Sequence, residues 1–347
     1  MAGHRGVKPP VIADVARVAG VSVPTVSRVL NGSVPVSAER RERVLAAVKE
    51  LGFRPNGAAR ALANRGQPMI AVFAGNTTRY GYASTIQGIE EAARQAGYMV
   101  VISVVEQATP ATVEQAIDHA LRQPLAGAVV LEFDPPGASA LSAMPDWLPV
   151  VAAAAGDTSG EAIAHAYMDD HLAATRATQY LLDMGHATVH HVAIPSVGTE
   201  SARLVGWREA LVAAGAPVPP VIRADWRPMS GYDAGVRLAR EGGVTAILAG
   251  NDELAMGISK AMADHGLQIP ADVSVIGFDD HPLSELWTPP LTTVRQDFVG
   301  LGHKVVGLLL DQLEAGSAPP SVRMVPELVV RSSTGRPGSR ATVVGAR

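Results

Sequence analysis

The chain of 347 residues has no cysteine. That excludes disulfide cross-links and zinc sites built on thiolates. No apolar run reaches the roughly 18 residues that a membrane-spanning helix needs. The N-terminal residues lack the basic-then-apolar order of a secretory signal, so the expected location is the cytoplasm. Catalytic and nucleotide signatures are missing too: there is no Gly-x-Ser-x-Gly elbow, no Walker phosphate loop and no glycine fingerprint after the first strand. Neither catalysis nor a cofactor is expected. The C-terminal stretch 332–347 has no leucine heptads and no periodicity, and it is expected to be a disordered tail.

What is present is a hydrophobic content of 47%, ample for buried cores, in a length that suits one small domain plus a larger two-lobed body. The net charge of −4 hides an asymmetry. Residues 1–66 hold eleven Lys or Arg against four acids, a net +7, and the remaining 281 residues carry −11. A basic head on an acidic body points to a polyanionic partner for the head alone.

That head contains VIADVARVAGVSVPTVSRVLN at 11–31. Ile12, Val15, Ala16 and Ala19 recur at helical spacing, and Gly20 breaks the helix. Ser22 is suited to cap a second helix, with Pro24 tolerated in its first turn, where the missing N–H has no partner to lose. Val26, Val29 and Leu30 form the apolar stripe of that helix. Ser22, Thr25, Ser27, Arg28 and Asn31 face outward, a set suited to phosphates and base edges. Two short helices joined by a glycine turn are a helix-turn-helix, or else an ordinary helical hairpin with a polar face. Ser37 opens a third helix running to Gly52, with Val44, Leu45, Val48 and Leu51 expected to pack it on the first two. In FRPNGAARALANRG, Asn56 caps a short helix to about Asn64. Paired across a dimer, such helices would press Leu62 between base steps of a minor groove, with Arg60 beside phosphate or base edge. The competing reading is a plain flexible linker.

From Met69 onward short apolar runs alternate with helical patterns, which predicts parallel sheets with helices on both faces. The units are too many for one sheet and suit two Rossmann-like lobes, with a ligand in the cleft at the strand carboxyl ends. Gly185-His186 and His190-His191 form the densest histidine cluster, but neighbouring strand residues point to opposite faces, which argues against a metal site. Asp279-Asp280-His281 has acid/base character without any placed nucleophile.

ADVARVAGVSVPTVSRVLNGS, RPNGAARALA, NDELAMGI, DVSVIGFDD and PPLTTVRQDF resemble, in that order, the LacI/GalR family of transcriptional regulators over about residues 11–331. The resemblance implies an all-α helix-turn-helix domain followed by a two-lobed, periplasmic-binding-protein-like α/β domain. The implied boundaries are a disordered arm at 1–10, the DNA-binding domain at 11–54, a hinge helix at 55–66 and an effector and dimerisation domain at 67–331. Its N-lobe spans about 67–167 and 297–325, and its C-lobe 168–296 and 326–331. The family binds palindromic operators as a dimer, and a small effector, commonly a sugar, changes operator affinity. By resemblance, Val23 and Pro24 stand where bases are read, so readout there is apolar. Arg28 is suited to a guanine, Leu62 matches the intercalating leucine, and Ala59 and Arg60 match its groove-facing neighbours. In the body, Arg203, Asn251, Asp279, Gln296 and Thr199 are the implied effector contacts. Trp226 would stack on a pyranose face, with Tyr80 and Tyr82 supplying aromatic contacts from the first cleft loop. The alanines of VVAAAAGD predict a roomy or apolar cleft suited to a disaccharide or an aryl glycoside. The alternatives are a purine co-repressor or protein partner in the same architecture, or a soluble sugar receptor without DNA function.

Overall fold

The computed structural model describes residues 11–31, 36–51, 68–154, 156, 163–196 and 200–338. The side chains of Leu30 and Asn31 lie outside what is described, as do Asn56, Ala59, Arg60, Leu62, Thr199, and the expected arm and hinge. The chain divides into two compact units, one ending at Gln67 and one beginning at Pro68.

The first unit is built from α1 (Ile12–Ala19), α2 (Val23–Asn31) and α3 (Ala38–Leu51). The Asp14 carboxylate accepts from the Val11 amide at 2.9 Å, which places a negative charge at the helix N-terminus, where the backbone dipole favours it. Gly20 ends α1 with φ +62°, a left-handed turn that a Cβ would strain. Val15, Ala16 and Ala19 pack against Val26 and Val29 of α2 and Val44 and Ala47 of α3. One expectation fails. Leu45 is 47% exposed, because the helical phase of α3 turns Val44 and Ala47 inward and Leu45 out.

The second unit holds two six-stranded sheets. Sheet 1 consists of β1 (Met69–Ala74), β2 (Met99–Val104), β3 (Leu125–Glu132), β4 (Val150–Ala154), β5 (His165–Met168) and β11 (Val322–Met324). Its order is β11-β5-β4-β3-β1-β2, every pair parallel. Sheet 2 consists of β6 (His190–Ala193), β7 (Ile222–Arg223), β8 (Ala246–Ala249), β9 (Ser274–Asp279), β10 (Thr292–Arg295) and β12 (Glu327–Val329). Its order is β12-β10-β9-β8-β6-β7, parallel except for the antiparallel pair β10–β12. The central strands read as unbroken apolar runs, as strands covered on both faces must. Val72, Val129 and Val151 face one core of sheet 1, and Phe73, Val130 and Ala152 face the other.

Helices α4 (Tyr80–Gln95), α5 (Pro110–Leu121), α6 (Pro135–Ser142) and α11 (Phe298–Ala315) cover sheet 1. Helices α7 (Asp170–Asp183), α8 (Ala202–Ala213), α9 (Pro228–Glu241) and α10 (Asp252–Asp264) cover sheet 2. The chain crosses between the sheets three times, from β5 to α7, from β10 to α11 and from β11 to β12. In both sheets the strand order reverses between the first and second βα units, so the crevice for a ligand lies beyond β1 and β3 in one lobe and β6 and β8 in the other.

The last two strands, β11 and β12, lie two residues apart in the chain but in different sheets. The tail is also corrected. Residues 332–338 are ordered along sheet 2, and Ser333 is 2% exposed. Ser333 Oγ donates to the Val275 carbonyl at 2.6 Å and accepts from the Thr292 amide at 2.8 Å, and the Gly335 amide donates to Ser274 Oγ at 3.0 Å. Apolar periodicity could not reveal this segment, since hydrogen bonds rather than side-chain burial hold it.

Candidate functional site

A cavity of about 290 Å³ lies where the two lobes meet. Arg79, Tyr80 and Tyr82 line it from the start of α4, and Glu132 and Phe133 from the end of β3. Arg203, Trp226, Asn251 and Asp279 line it from the other lobe, with Asp170, Gln296 and Phe298 on the crossing segments. Seven of the eight expected effector residues therefore converge, and Thr199 lies outside the described residues.

Arg203 is the hub. It projects from the first turn of α8, and Ser201 caps that helix by accepting from the Leu204 amide at 3.2 Å. Arg203 Nε donates to Asp170 Oδ2 at 2.7 Å, and its terminal nitrogens donate to Gln296 Oε1 at 3.1 Å and to the Gly250 carbonyl. The guanidinium lies 4.2 Å above the Phe278 ring. Gln296 turns its other end to Asp170, donating from Nε2. The pair is buried: the Arg203 side chain is 10% exposed and that of Asp170 is 4%. Asp170 was not anticipated. Its only sequence signal is an acid just after the strand that crosses to the second lobe.

Asp279 ends β9 with φ +110°, a left-handed backbone that strains a residue carrying a Cβ. Its carboxylate stands 3.8 Å from an Arg203 nitrogen, beyond hydrogen-bond length, so the oxygens are open to a ligand. Burial pushes the Asp279 carboxyl well above its usual range, against the pull of Arg203, and Asp252 and Asp170 push the same way. Burial likewise raises Asp170, with Arg203 opposing. The loop after β9 is pinned on both sides. Asp280 pairs with Arg295 at 2.7 Å and Arg331 at 2.6 Å. Asp252 accepts from the His281 amide at 2.7 Å, Ser284 Oγ at 2.7 Å and Thr293 Oγ1 at 2.5 Å. Burial pushes Asp252 up to about 6 against those three hydrogen bonds. The Asp-Asp-His run is an anchored turn.

Asn251 caps α10, its Oδ1 accepting from the Leu254 amide at 2.8 Å. The cap aims its amide nitrogen away as a donor for a ligand. Tyr80 and Tyr82 fall in the first turn of α4, which begins at Tyr80, rather than in the expected cleft loop. Tyr82 is 3% exposed and packs edge-on against Phe133, with ring centroids 5.2 Å apart. Trp226 carries a cation on its ring, the Arg79 guanidinium at 4.7 Å. Met168, Phe133, Phe298 and Leu301 make the remaining wall apolar. The site offers hydroxyl-binding groups at one pole and aromatic and aliphatic surface at the other.

The histidines hold structure. His186 bonds Thr245 Oγ1 at 2.9 Å, Ser274 Oγ at 3.1 Å and the Gly335 carbonyl at 2.9 Å. His191 Nδ1 bonds the Leu248 carbonyl at 2.9 Å, and burial pushes its pKa down to about 4.

In the first unit, Ser22, Val23, Pro24 and Arg28 are exposed, and Thr25 and Ser27 are half-buried. Ser22 Oγ meets Thr25 Oγ1 at 2.9 Å, and the Ser22 carbonyl accepts from the Thr25 amide at 2.9 Å. The exposed face of α2 is thus a short apolar start followed by an arginine.

Residues 11–56 match the family model for bacterial regulatory proteins of the lacI family, and residues 178–334 match the periplasmic binding protein-like domain. The chain is 34% identical to the lactose operon repressor of Escherichia coli (strain K12) over 333 residues, covering 94% of this chain and 91% of that protein. The chain belongs to the LacI family. Within it, catabolite control protein A of Priestia megaterium is 30% identical, over 93% of this chain and 98% of its own length. The crystal structure of the Lac repressor dimer bound to operator and the anti-inducer ONPF superposes with a TM-score of 0.83 at 32% identity, covering 94% of this chain and all of that one. A complex of the transcriptional regulator CelR with cellobiose gives 0.69 at 29% identity, covering 93% and 99%. This LacI-family member is a DNA-binding transcriptional regulator with an effector-binding body. No helix among the described residues is long and apolar enough to cross a membrane.

Proposed function

We propose that the protein is a repressor that grips a palindromic operator as a dimer and lets go when a neutral sugar or glycoside fills the cavity between the lobes. The observation that carries this reading is the buried Arg203–Asp170–Gln296 hub, which sets Asp279 and the Asn251 amide as uncommitted acceptor and donor against aromatic walls. Paired donors and acceptors beside apolar rings suit vicinal hydroxyls and the C–H face of a pyranose. The ligand class is narrowed by charge. Arg203 is already engaged by Asp170 and lies 3.8 Å from Asp279, and Glu253 adds a further acid to the lining, so Arg203 has little free charge to offer a sugar phosphate or a sugar acid. The ~290 Å³ volume and apolar wall favour a sugar with a substituent over a bare monosaccharide.

The α2 face, with Arg28, would lie in the major groove, and the expected hinge would carry the signal from the cavity. The coupling need amount to only about 1–3 kcal/mol per ligand.

The deciding experiment is a thermal-shift panel of glucose, galactose, cellobiose, lactose, nitrophenyl glycosides, glucose 6-phosphate and hypoxanthine. Any stabilising compound is then added to an anisotropy titration of the chain on DNA from its own promoter. A neutral sugar or glycoside should stabilise the protein and weaken DNA binding. Stabilisation by hypoxanthine alone, with tighter DNA binding, would replace the sugar with a purine co-repressor.

A further inference from the structure

Consecutive residues at the start of α4 reach across to the other lobe. The Arg79 guanidinium lies 4.7 Å above the Trp226 ring, and the Tyr80 and His281 rings stand 4.8 Å apart at 59°. Arg79 and Tyr80 belong to the lobe of sheet 1, and Trp226 and His281 to the lobe of sheet 2. All four line the cavity and all four are half-buried, so they stand on its rim, between interior and solvent. Each side is held in place from behind. Asn76 Oδ1 accepts from the Thr78 and Arg79 amides at 2.8 and 2.9 Å, fixing the turn that presents Arg79. Tyr80 leans edge-on against Phe298, with centroids 5.9 Å apart. His281 is held through its backbone by Asp252, and its Nδ1 accepts from the Leu283 amide at 3.1 Å. Trp226 sits next to Arg227, which the Asp225 carboxylate ties down at 2.8 Å. Neither rim contact involves a crossing segment, so both can open while the three crossings stay intact.

We infer that Arg79–Trp226 and Tyr80–His281 form a two-point latch across the rim of the cavity, which must open for a ligand to pass in or out. Arg79 forms no ion pair among the described residues, so the aromatic face is its anchor. An arginine on tryptophan is among the stronger cation–π pairs, and its planar head can slide off without leaving a buried charge.

The latch is made of protein atoms alone, and this gives it a kinetic signature. A contact that gates passage slows association and dissociation together. A contact to the ligand slows dissociation only. The test is stopped-flow binding of the panel sugar with the largest thermal shift, with wild type, Arg79→Ala, Arg79→Lys and Tyr80→Ala. Arg79→Ala should raise both rate constants about 3- to 10-fold while Kd moves less than about twofold, with Arg79→Lys between it and wild type. Tyr80→Ala removes the second contact and should likewise raise both rates, and unchanged rates in both alanine variants would refute the gate. A rise in the dissociation rate alone would make Arg79 a ligand contact and overturn the latch.

This arm rests on the sugar reading, and a second arm does not. In the ligand-free chain, acrylamide quenching of the Trp226 emission (wild type minus Trp226→Phe) should increase at least about twofold in Arg79→Ala, because the ring loses its cover. Unchanged quenching would refute the latch even if no sugar binds.

Discussion

Arg203→Met offers the sharpest test of how the site is held. The substitution keeps an unbranched apolar stem of similar length and removes only the guanidinium. Asp170 then keeps its buried carboxylate, 4% exposed, with Gln296 as its remaining side-chain donor. The Gly250 carbonyl also loses its donor. Removing one partner of a buried ion pair costs about 3–5 kcal/mol, because the charge left behind is neither hydrated nor paired. For a body of this size each kcal/mol lowers Tm by about 2 °C, so a fall of roughly 6–10 °C is expected.

The double variant Arg203→Met/Asp170→Asn removes the stranded charge and should recover at least about 2 kcal/mol. A linkage argument sharpens this. The folded-state pKa of Asp170 is raised, so its contribution is fully present below the unfolded value and is lost as pH rises through the folded one. Without Arg203 that pKa climbs further, and the Arg203→Met penalty should be larger at pH 7 than at pH 5. All four tryptophans lie in the second unit, so urea unfolding followed by tryptophan fluorescence reports on the body alone. A Tm within about 1 °C of wild type, or no recovery in the double variant, would refute the hub, since that is how an exposed pair behaves.

Two buried groups should give opposite pH responses. The depressed pKa of His191, about 4, means stability is lost as pH falls from 6.5 toward 4, whereas the raised pKa of Asp252, about 6, means stability is gained as pH falls from 6 toward 3.8. Relative to wild type, the cost of His191→Leu should therefore be smaller at pH 4.5 than at 6.5, and the cost of Asp252→Asn larger. Urea midpoints at the two values check this, and parallel shifts would contradict it. Asn251→Ser keeps a side-chain oxygen for the α10 cap but loses the amide donor. It should cost under about 0.5 kcal/mol of stability while weakening sugar binding about tenfold by calorimetry. Arg28→Ala should relax preference at one base pair per half-site by about 1–3 kcal/mol. A uniform loss across operator variants, with a shallower salt dependence, would make Arg28 a phosphate contact instead.

Much of the architecture was readable because it rests on local rules. Gly20 can stop a helix in the left-handed region wherever it occurs, and the runs IAVFA and AVVLE can be buried only between two helical layers. The cleft residues Asn251 and Asp279 follow strands, and strand ends are where such sheets present ligands. Short elements escaped. β7 has two residues, β5 (HAYM) carries His165 and Tyr167, and β10 (TTVR) is half threonine, so none reads as an apolar run. The 332–338 strap escaped because its order lies in hydrogen bonds to Ser274, Val275 and Thr292, about forty to sixty residues away in sequence.

The sequence by itself determined the class: a basic three-helix reading head, an acidic doubly wound body, and the set of polar residues at strand ends. The head and the body follow from periodicity, turn chemistry and charge, which act over a few residues, and the polar set was implied by the family resemblance. Only the tertiary structure decided what those residues do to one another. Asp170, Arg203 and Gln296 span 126 positions, yet they form one buried network, and Arg79 and Trp226 come from different lobes to close one rim. Charge pairing and lobe closure depend on distance in space and on the exclusion of water, and neither is encoded in spacing along the chain.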